Sequence, residues 1–174
     1  PPDEYVGQSH ILGEGSSLRQ AIEEGRLGSV VPFAPPGCGK TTLAHIIARH
    51  SGAFLEVRSA VTAGVADVRK VAEAARDRQR MHGQPTLLLL DEIHHFNKSQ
   101  QDSLLGYLED GTLSLVGATT ENPFFALNAA PLSPAGVLPL RPLDADDVRG
   151  LVHTALTDAD RGLGAEGLAI EDEA

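Results

Sequence analysis

The chain has 174 residues, the size of one ordinary domain of roughly 100–200 residues. Hydrophobic residues at 41% and charged residues at 22% exclude a wholly disordered chain, and the single Cys38 excludes a disulfide scaffold or a cysteine-based zinc site. The net charge is −10, and nine acidic against two basic residues lie between Asp144 and Ala174, which excludes a free-standing electrostatic DNA binder.

Apolar runs and amphipathic stretches alternate along the chain, with no internal repeat. Ser17 and Gln20 have capping-box spacing, and Leu18, Ala21 and Ile22 follow on one helical face. Ser29–Phe33 reads as a strand, although Pro32 lies inside it. Lys40–His50 reads as a helix with Leu43, Ile46 and Ile47 inward, closed near Gly52. Phe54–Arg58 is a further strand. Val65–His82 is a helix, since Val68, Val71, Ala72 and Ala75 recur at i, i+3, i+4 and i+7. Thr86–Leu90 is apolar without alternation, as suits a strand buried on both faces of a parallel sheet. Asn97 caps a helix bearing Leu104, Leu105 and Leu108. Leu113–Ala118 is a strand, and Val137–Leu140 is another, interrupted by Pro139. Asp144 caps a last helix with Val148, Leu151, Val152 and Ala155 inward. Strands alternating with helices imply right-handed crossovers and a three-layer α/β fold with a parallel central sheet.

The longest aliphatic stretch is Leu87–Leu90, so nothing spans a membrane. The start, PPDEYVGQ, has neither the basic region nor the apolar run of a signal peptide. It also lacks an initiator Met, as a fragment would. These features point to a cytoplasmic, reducing setting.

Three motifs carry chemistry. The first is Ala34-Pro35-Pro36-Gly37-Cys38-Gly39-Lys40-Thr41, between a predicted strand and a predicted helix. That is the setting of a phosphate-binding P-loop. Its glycines let backbone N–H groups point at phosphate oxygens, and the helix N-terminus adds positive partial charge. Lys40 is placed to reach the β- and γ-phosphates and Thr41 to bind Mg²⁺. Pro36, Gly37, Cys38, Gly39 and Thr42 complete the nucleotide-contacting set. Ala34 stands where the strict pattern has glycine, and distorts the loop if that position needs positive φ. The competing reading is a plain glycine-rich turn, which Gly39-Lys40-Thr41 disfavours.

The second motif is Leu87-Leu88-Leu89-Leu90-Asp91-Glu92. Acidic residues at the end of a buried parallel strand lie where open α/β sheets bind ligands. Asp91 is the candidate Mg²⁺ ligand, and Glu92 the candidate general base that polarises water. Standing alone the pair would read as a polar turn, but it lies about fifty residues after the P-loop. The third motif is Gly117-Ala118-Thr119-Thr120-Glu121-Asn122-Pro123. Thr120, just past a strand, is the candidate to sense the γ-phosphate, with an ordinary strand-ending turn as the rival reading.

Together these motifs resemble the AAA+ ATPases, and more narrowly the replication-associated recombination protein A family and its eukaryotic relatives. Further matching stretches are Tyr5-Val6-Gly7-Gln8, Ser59-Ala60-Val61-Thr62, Gln100-Gln101-Asp102 and Glu109-Asp110-Gly111-Thr112. The most specific are Phe96-Asn97-Lys98 and Thr119-Thr120-Glu121-Asn122-Pro123. The resemblance implies an AAA+ nucleotide-binding core over residues 1–160. It implies that 161–174, acidic and glycine-containing, lead toward a lid subdomain beyond this sequence. It places Val6, Gly7 and Gln8 near the adenine and makes Thr120 the sensor-1 residue. It further implies ATP and Mg²⁺ as cofactors, and homo-oligomerisation of a full-length form. It implies action on DNA at stalled forks, single-stranded DNA-binding protein as a partner, and nucleoid association.

The departures from the family pattern bear on catalysis. Where the family carries an arginine finger, this chain has Pro134, and Gly136 replaces an often basic residue. His95 replaces a usual arginine. Pro32 and Pro139, read inside central strands, each remove a ladder donor. Weak hydrolysis, an ATP-binding assembly subunit, and an inactive truncated domain therefore stay open. Adjacent His94 and His95 suggest a metal site. Neighbouring side chains on a strand or turn diverge, however, and no further ligand cluster is evident, so a metal is disfavoured. Cys38 reads as a small filler rather than a redox group. Arg69, Lys70, Arg76, Arg78 and Arg80 give the 65–82 helix a basic face, read as solvated rather than DNA-binding.

Overall fold

Leu87–Leu90 form an unbroken apolar strand, and burial on both faces is what holds the layers of this molecule together. The computed structural model describes residues 5–24, 28–122, 136–160 and 162–166. The elements are α1 (Ser9–Leu12), α2 (Ser17–Glu23), β1 (Val30–Phe33), α3 (Lys40–Ser51), β2 (Phe54–Ser59) and α4 (Val65–His82). They continue as β3 (Thr86–Asp91), a 3₁₀ turn (Ile93–His95), α5 (Lys98–Glu109), β4 (Ser114–Gly117), β5 (Gly136–Pro139) and α6 (Ala145–Thr157). The sheet order is β2-β3-β4-β1-β5, and every pairing is parallel.

The strand period of two divides the core into halves. Val31, Leu88, Leu90 and Leu115 pack with Val68, Val71, Ala72 and Ala75 of α4 and Leu104 of α5. Val30, Leu87, Leu89 and Val116 pack with Ile22 of α2 and Leu43, Ala44 and Ile47 of α3. This is the three-layer α/β sandwich that the alternation predicts. The four stripe residues of α4 are all buried, and Asn97 caps α5 in a reciprocal box with Gln100, at 3.0 and 2.8 Å.

Three expectations are corrected. The cap of α2 is Ser16, whose Oγ accepts from the Arg19 amide at 3.3 Å, so the Ser17–Gln20 spacing was one residue late. Pro139 ends β5, an edge strand, where a missing donor costs little. Pro32 does lie in an inner strand. Its carbonyl still accepts from Thr119 N at 3.2 Å, and the β1–β4 register is reduced to Val30↔Val116 plus an isolated Phe33↔Thr119 bridge. Finally, Asp144 caps α6 through the Asp147 amide at 2.8 Å, but no residue of that helix is buried. Val148 and Leu151 are 47% and 39% exposed, so the face read as inward is open among the described residues.

The strand order positions the site. Because β4 lies between β1 and β3, the loops leaving their C-terminal ends meet at one edge. These are the glycine-rich loop after β1, the acidic pair after β3 and the threonines after β4.

Candidate active site

The loop of residues 34–39 leaves β1 and enters α3. Gly37 and Gly39 have φ of 82° and 85°, a left-handed conformation that L side chains rarely adopt. A Cβ on Gly39 would also lie 3.0 Å from the Tyr5 ring. Ala34 is not among the residues with positive φ. It is buried, and its amide donates to Thr119 O at 3.2 Å. The position does not adopt positive φ, so the condition under which alanine would distort the loop is not met. Lys40 is largely buried, and its Nζ donates to Ala34 O at 2.8 Å and Pro35 O at 3.0 Å. The ammonium is thereby held against the start of the loop that precedes it.

Pro36, Gly37, Gly39, Lys40, Thr41 and Thr42 form one wall of a cleft of about 380 Å³. Asp91, Glu92 and Thr120 form the other. Glu92 has φ of 54°, a strained conformation for a non-glycine residue, costing of order 1–3 kcal/mol. Its neighbours hold it there. The Glu92 amide donates to Asp91 Oδ1 at 3.1 Å, and Ile93 N donates to Ala118 O at 3.0 Å. Ile93 is buried against Gly117, where a Cβ would lie 2.7 Å from the isoleucine. Thr120 Oγ1 donates to Glu92 Oε2 at 3.2 Å.

The donor set matches a nucleotide with its metal. Loop amides, the N-terminus of α3 and the Lys40 ammonium suit phosphate. The Thr41 hydroxyl and the Asp91 carboxylate are hard oxygen donors of the kind Mg²⁺ takes. Glu92 offers a carboxylate that can accept a proton from water, with its orientation fixed by Thr120.

The remaining site candidates fall elsewhere. Val6, Gly7, Gln8 and Cys38 do not line this cleft. Cys38, within the loop, is a buried free thiol whose Sγ lies 3.9 Å from Pro36 O. Gln8 is fully buried and clamps the Arg141 backbone, donating to its carbonyl at 2.7 Å and accepting from its amide at 3.0 Å. Gly7 packs where a Cβ would meet Leu143 and Asp147. Sequence reasoning missed Tyr5, whose Oη donates to Gly39 O at 3.0 Å. Burial, and then the nearby Cys38, push its phenol pKa well up, keeping it a neutral donor. Residues 5–8 thus tie the phosphate loop to the segment entering α6. Gln8→Ala should cost about 1–3 kcal/mol by leaving the Arg141 backbone groups unpaired. The check is a lower urea midpoint with an unchanged slope.

The histidines also behave differently from expectation. His94 and His95 lie on the 3₁₀ turn with ring centroids 4.4 Å apart, so they converge rather than diverge. His94 Nε2 is 3.3 Å from Glu92 Oε2, and its Nδ1 is 3.0 Å from Thr119 Oγ1.

Residues 30–133 match the model of the ATPase family associated with various cellular activities, AAA. This chain belongs to the AAA family. Over 170 residues, 98% of its length, the AAA chain is 48% identical to replication-associated recombination protein A of Escherichia coli K12. It is 51% identical to the protein of that name from Coxiella burnetii. It spans 38% of the length of each. A solved RuvB variant of Thermotoga maritima matches with a TM-score of 0.75 at 28% identity, covering 100% of this chain and 57% of that one. The resemblance drawn from the motifs therefore holds.

Two other features of this AAA core bear on the earlier reading. Arg69, Arg76, Arg78 and Arg80 of the basic face of α4 each have a side-chain partner. Arg69 pairs with Glu73 at 3.0 Å, Arg76 with Asp110 at 3.0 Å and Arg80 with Asp77 at 2.6 Å. Arg78 donates to Thr86 at 2.6 Å and stacks on Phe54. Arg69, Arg76 and Arg80 are each more than half exposed, so this face is solvated, with its charges paired to the chain's own acids. Pro134 lies outside the described residues.

Proposed function

We propose that this AAA domain binds Mg-ATP in the cleft and hydrolyses it. The observation that carries the reading is that one cleft brings Lys40 and Thr41 opposite Asp91, Glu92 and Thr120, with Thr120 bonded to Glu92. Lys40 and the loop amides hold the phosphates, with Pro36, Gly37, Cys38, Gly39 and Thr42 shaping the loop. Thr41 and Asp91 hold Mg²⁺. Bound Mg²⁺ neutralises charge developing on the phosphates. Glu92 takes a proton from the attacking water, and Thr120 orients that carboxylate toward the γ-phosphate. Val6 and Gly7 stand beside the base, while Gln8 acts through its clamp on Arg141.

Thr120→Val removes the hydrogen bond to Glu92. A bond to a charged group is worth about 1.5–3 kcal/mol, so turnover should fall roughly 10- to 150-fold with ATP affinity unchanged. Parallel steady-state and binding measurements check this.

Residues 1–160 are proposed as the nucleotide-binding core, with 161–174 leading into a lid. Within that span, Leu163 N donates to Ala155 O at 2.6 Å, folding the segment back along α6. The whole protein is proposed to form a homo-oligomer acting on DNA at stalled forks, with single-stranded DNA-binding protein as partner. The names of its relatives support a role in replication-associated recombination. A cytoplasmic, nucleoid-associated setting follows from that role. No described helix is long and apolar enough to cross a membrane.

A second reading is favoured by one residue. Pro134, at the arginine-finger position, supports an ATP-binding assembly subunit that scarcely hydrolyses. Phosphate release under saturating Mg-ATP separates the two. Slow, Mg²⁺-dependent release that rises with protein concentration supports the enzyme. Binding with no release supports the assembly subunit.

A further inference from the structure

We propose that Glu92, His94 and His95 form a binding site for a zinc-class divalent cation, and that its occupation stops ATP turnover. The ligand atoms of these three residues all lie within 4.8 Å of one another. Two of them are already at ligand spacing. Glu92 Oε2 and His94 Nε2 are 3.3 Å apart, and a tetrahedral zinc with bonds near 2.0–2.1 Å has edges of roughly 3.3–3.4 Å. The His95 ring is exposed and can rotate inward from its position beside His94. Glu121 Oε1 lies farther out, 3.7 Å from the same His94 nitrogen, leaving a fourth position for it or for water.

The surroundings support ligation rather than a chance encounter. The His94 side chain is 7% exposed. Its Nδ1 is held by Thr119 Oγ1 at 3.0 Å. Thr119 is fully buried, and its hydroxyl is set by the Glu121 backbone, accepting from N at 3.1 Å and donating to O at 3.2 Å. With that hydroxyl hydrogen directed at Glu121 O, the Thr119 oxygen can accept from Nδ1–H, the tautomer that frees the Nε2 lone pair for a metal. Fixing the far nitrogen of a histidine is what partners behind a metal ligand do. Two imidazoles and one carboxylate suit Zn²⁺, Co²⁺ or Ni²⁺, whereas Mg²⁺ prefers oxygen alone. The two metals therefore divide: Mg²⁺ at Thr41 and Asp91, the softer ion at Glu92.

The consequence for turnover rests on the reading of Glu92 as general base. Zinc on Oε2 draws electron density from the whole carboxylate, lowering the basicity of its free lone pairs, and turns that oxygen away from the water it would deprotonate. Zinc at this site is thus an inhibitor beside the nucleotide.

The test is a Co²⁺ titration of the untagged chain in excess Mg²⁺, read by visible absorption and by Zn²⁺ displacement. A saturable one-to-one tetrahedral spectrum is expected. His95→Arg, on an exposed side chain, should weaken it at least about tenfold, and Thr119→Val by about 10- to 100-fold. Absence of the spectrum, or a spectrum unchanged in His95→Arg, overturns the site. In parallel, Zn²⁺ should suppress phosphate release by the parent chain and spare His95→Arg. Metal binding with undiminished release would overturn the inhibitory claim, and a Glu92→Gln variant that still turned over would locate that failure in the role given to Glu92.

Discussion

Glu92→Gln should lower ATP turnover by about 10²–10⁴ while leaving Mg-ATP affinity unchanged, the range for loss of a positioned general base. The amide keeps the size of the carboxylate and can still accept from Thr120 Oγ1, which reaches Glu92 Oε2 at 3.2 Å in the parent. It has the same strain to bear at φ of 54°, because the strain is set by the Asp91 and Ala118 contacts and not by charge. What it lacks is a basic oxygen. Single-turnover phosphate release beside equilibrium binding separates the two effects. A joint loss of binding and turnover would instead assign Glu92 to the nucleotide site itself.

Pro134→Arg should raise turnover by about 10³–10⁵ where chains can associate, the value of an arginine finger in related phosphoryl transfer. The prediction follows from chemistry. Proline has no charge to place against the γ-phosphate, and the cleft's own cation, Lys40, is bonded to the loop carbonyls of Ala34 and Pro35. The gain should grow with protein concentration and vanish in Pro134→Arg combined with Lys40→Ala. An unchanged rate at every concentration would place the limiting defect elsewhere.

What the sequence made legible was whatever obeys local rules. The Thr86–Leu90 strand, the α4 stripe and the Asn97 cap depend on neighbours two to four residues away, and each stands where periodicity put it. The glycine-rich loop and the acidic pair were legible for the same reason. Their meeting in one cleft was legible only through the strand order.

Other features depend on contacts that composition does not carry. The convergence of His94 and His95 was misjudged because the chain leaves β3 in a 3₁₀ turn. Three residues per turn set successive side chains about 120° apart rather than on opposite faces. The left-handed Glu92 arises from β4, through Ala118 O and the space left by Gly117. Gln8 clamps a backbone 133 residues away. Ala34 raised a concern that its backbone does not support. The apolar stripe of α6 was real as a pattern, yet Val148 and Leu151 remain exposed, since a stripe does not say what covers it.

The central claim is that this cleft is a Mg-ATP site opened by Lys40. Calorimetry of Mg-ATP binding to the parent chain and to Lys40→Ala tests it most directly. The account predicts saturable one-to-one binding that weakens sharply without Mg²⁺ and disappears in Lys40→Ala, while that variant keeps its fold by circular dichroism. Binding of equal strength in both chains, or none in the parent, would contradict it.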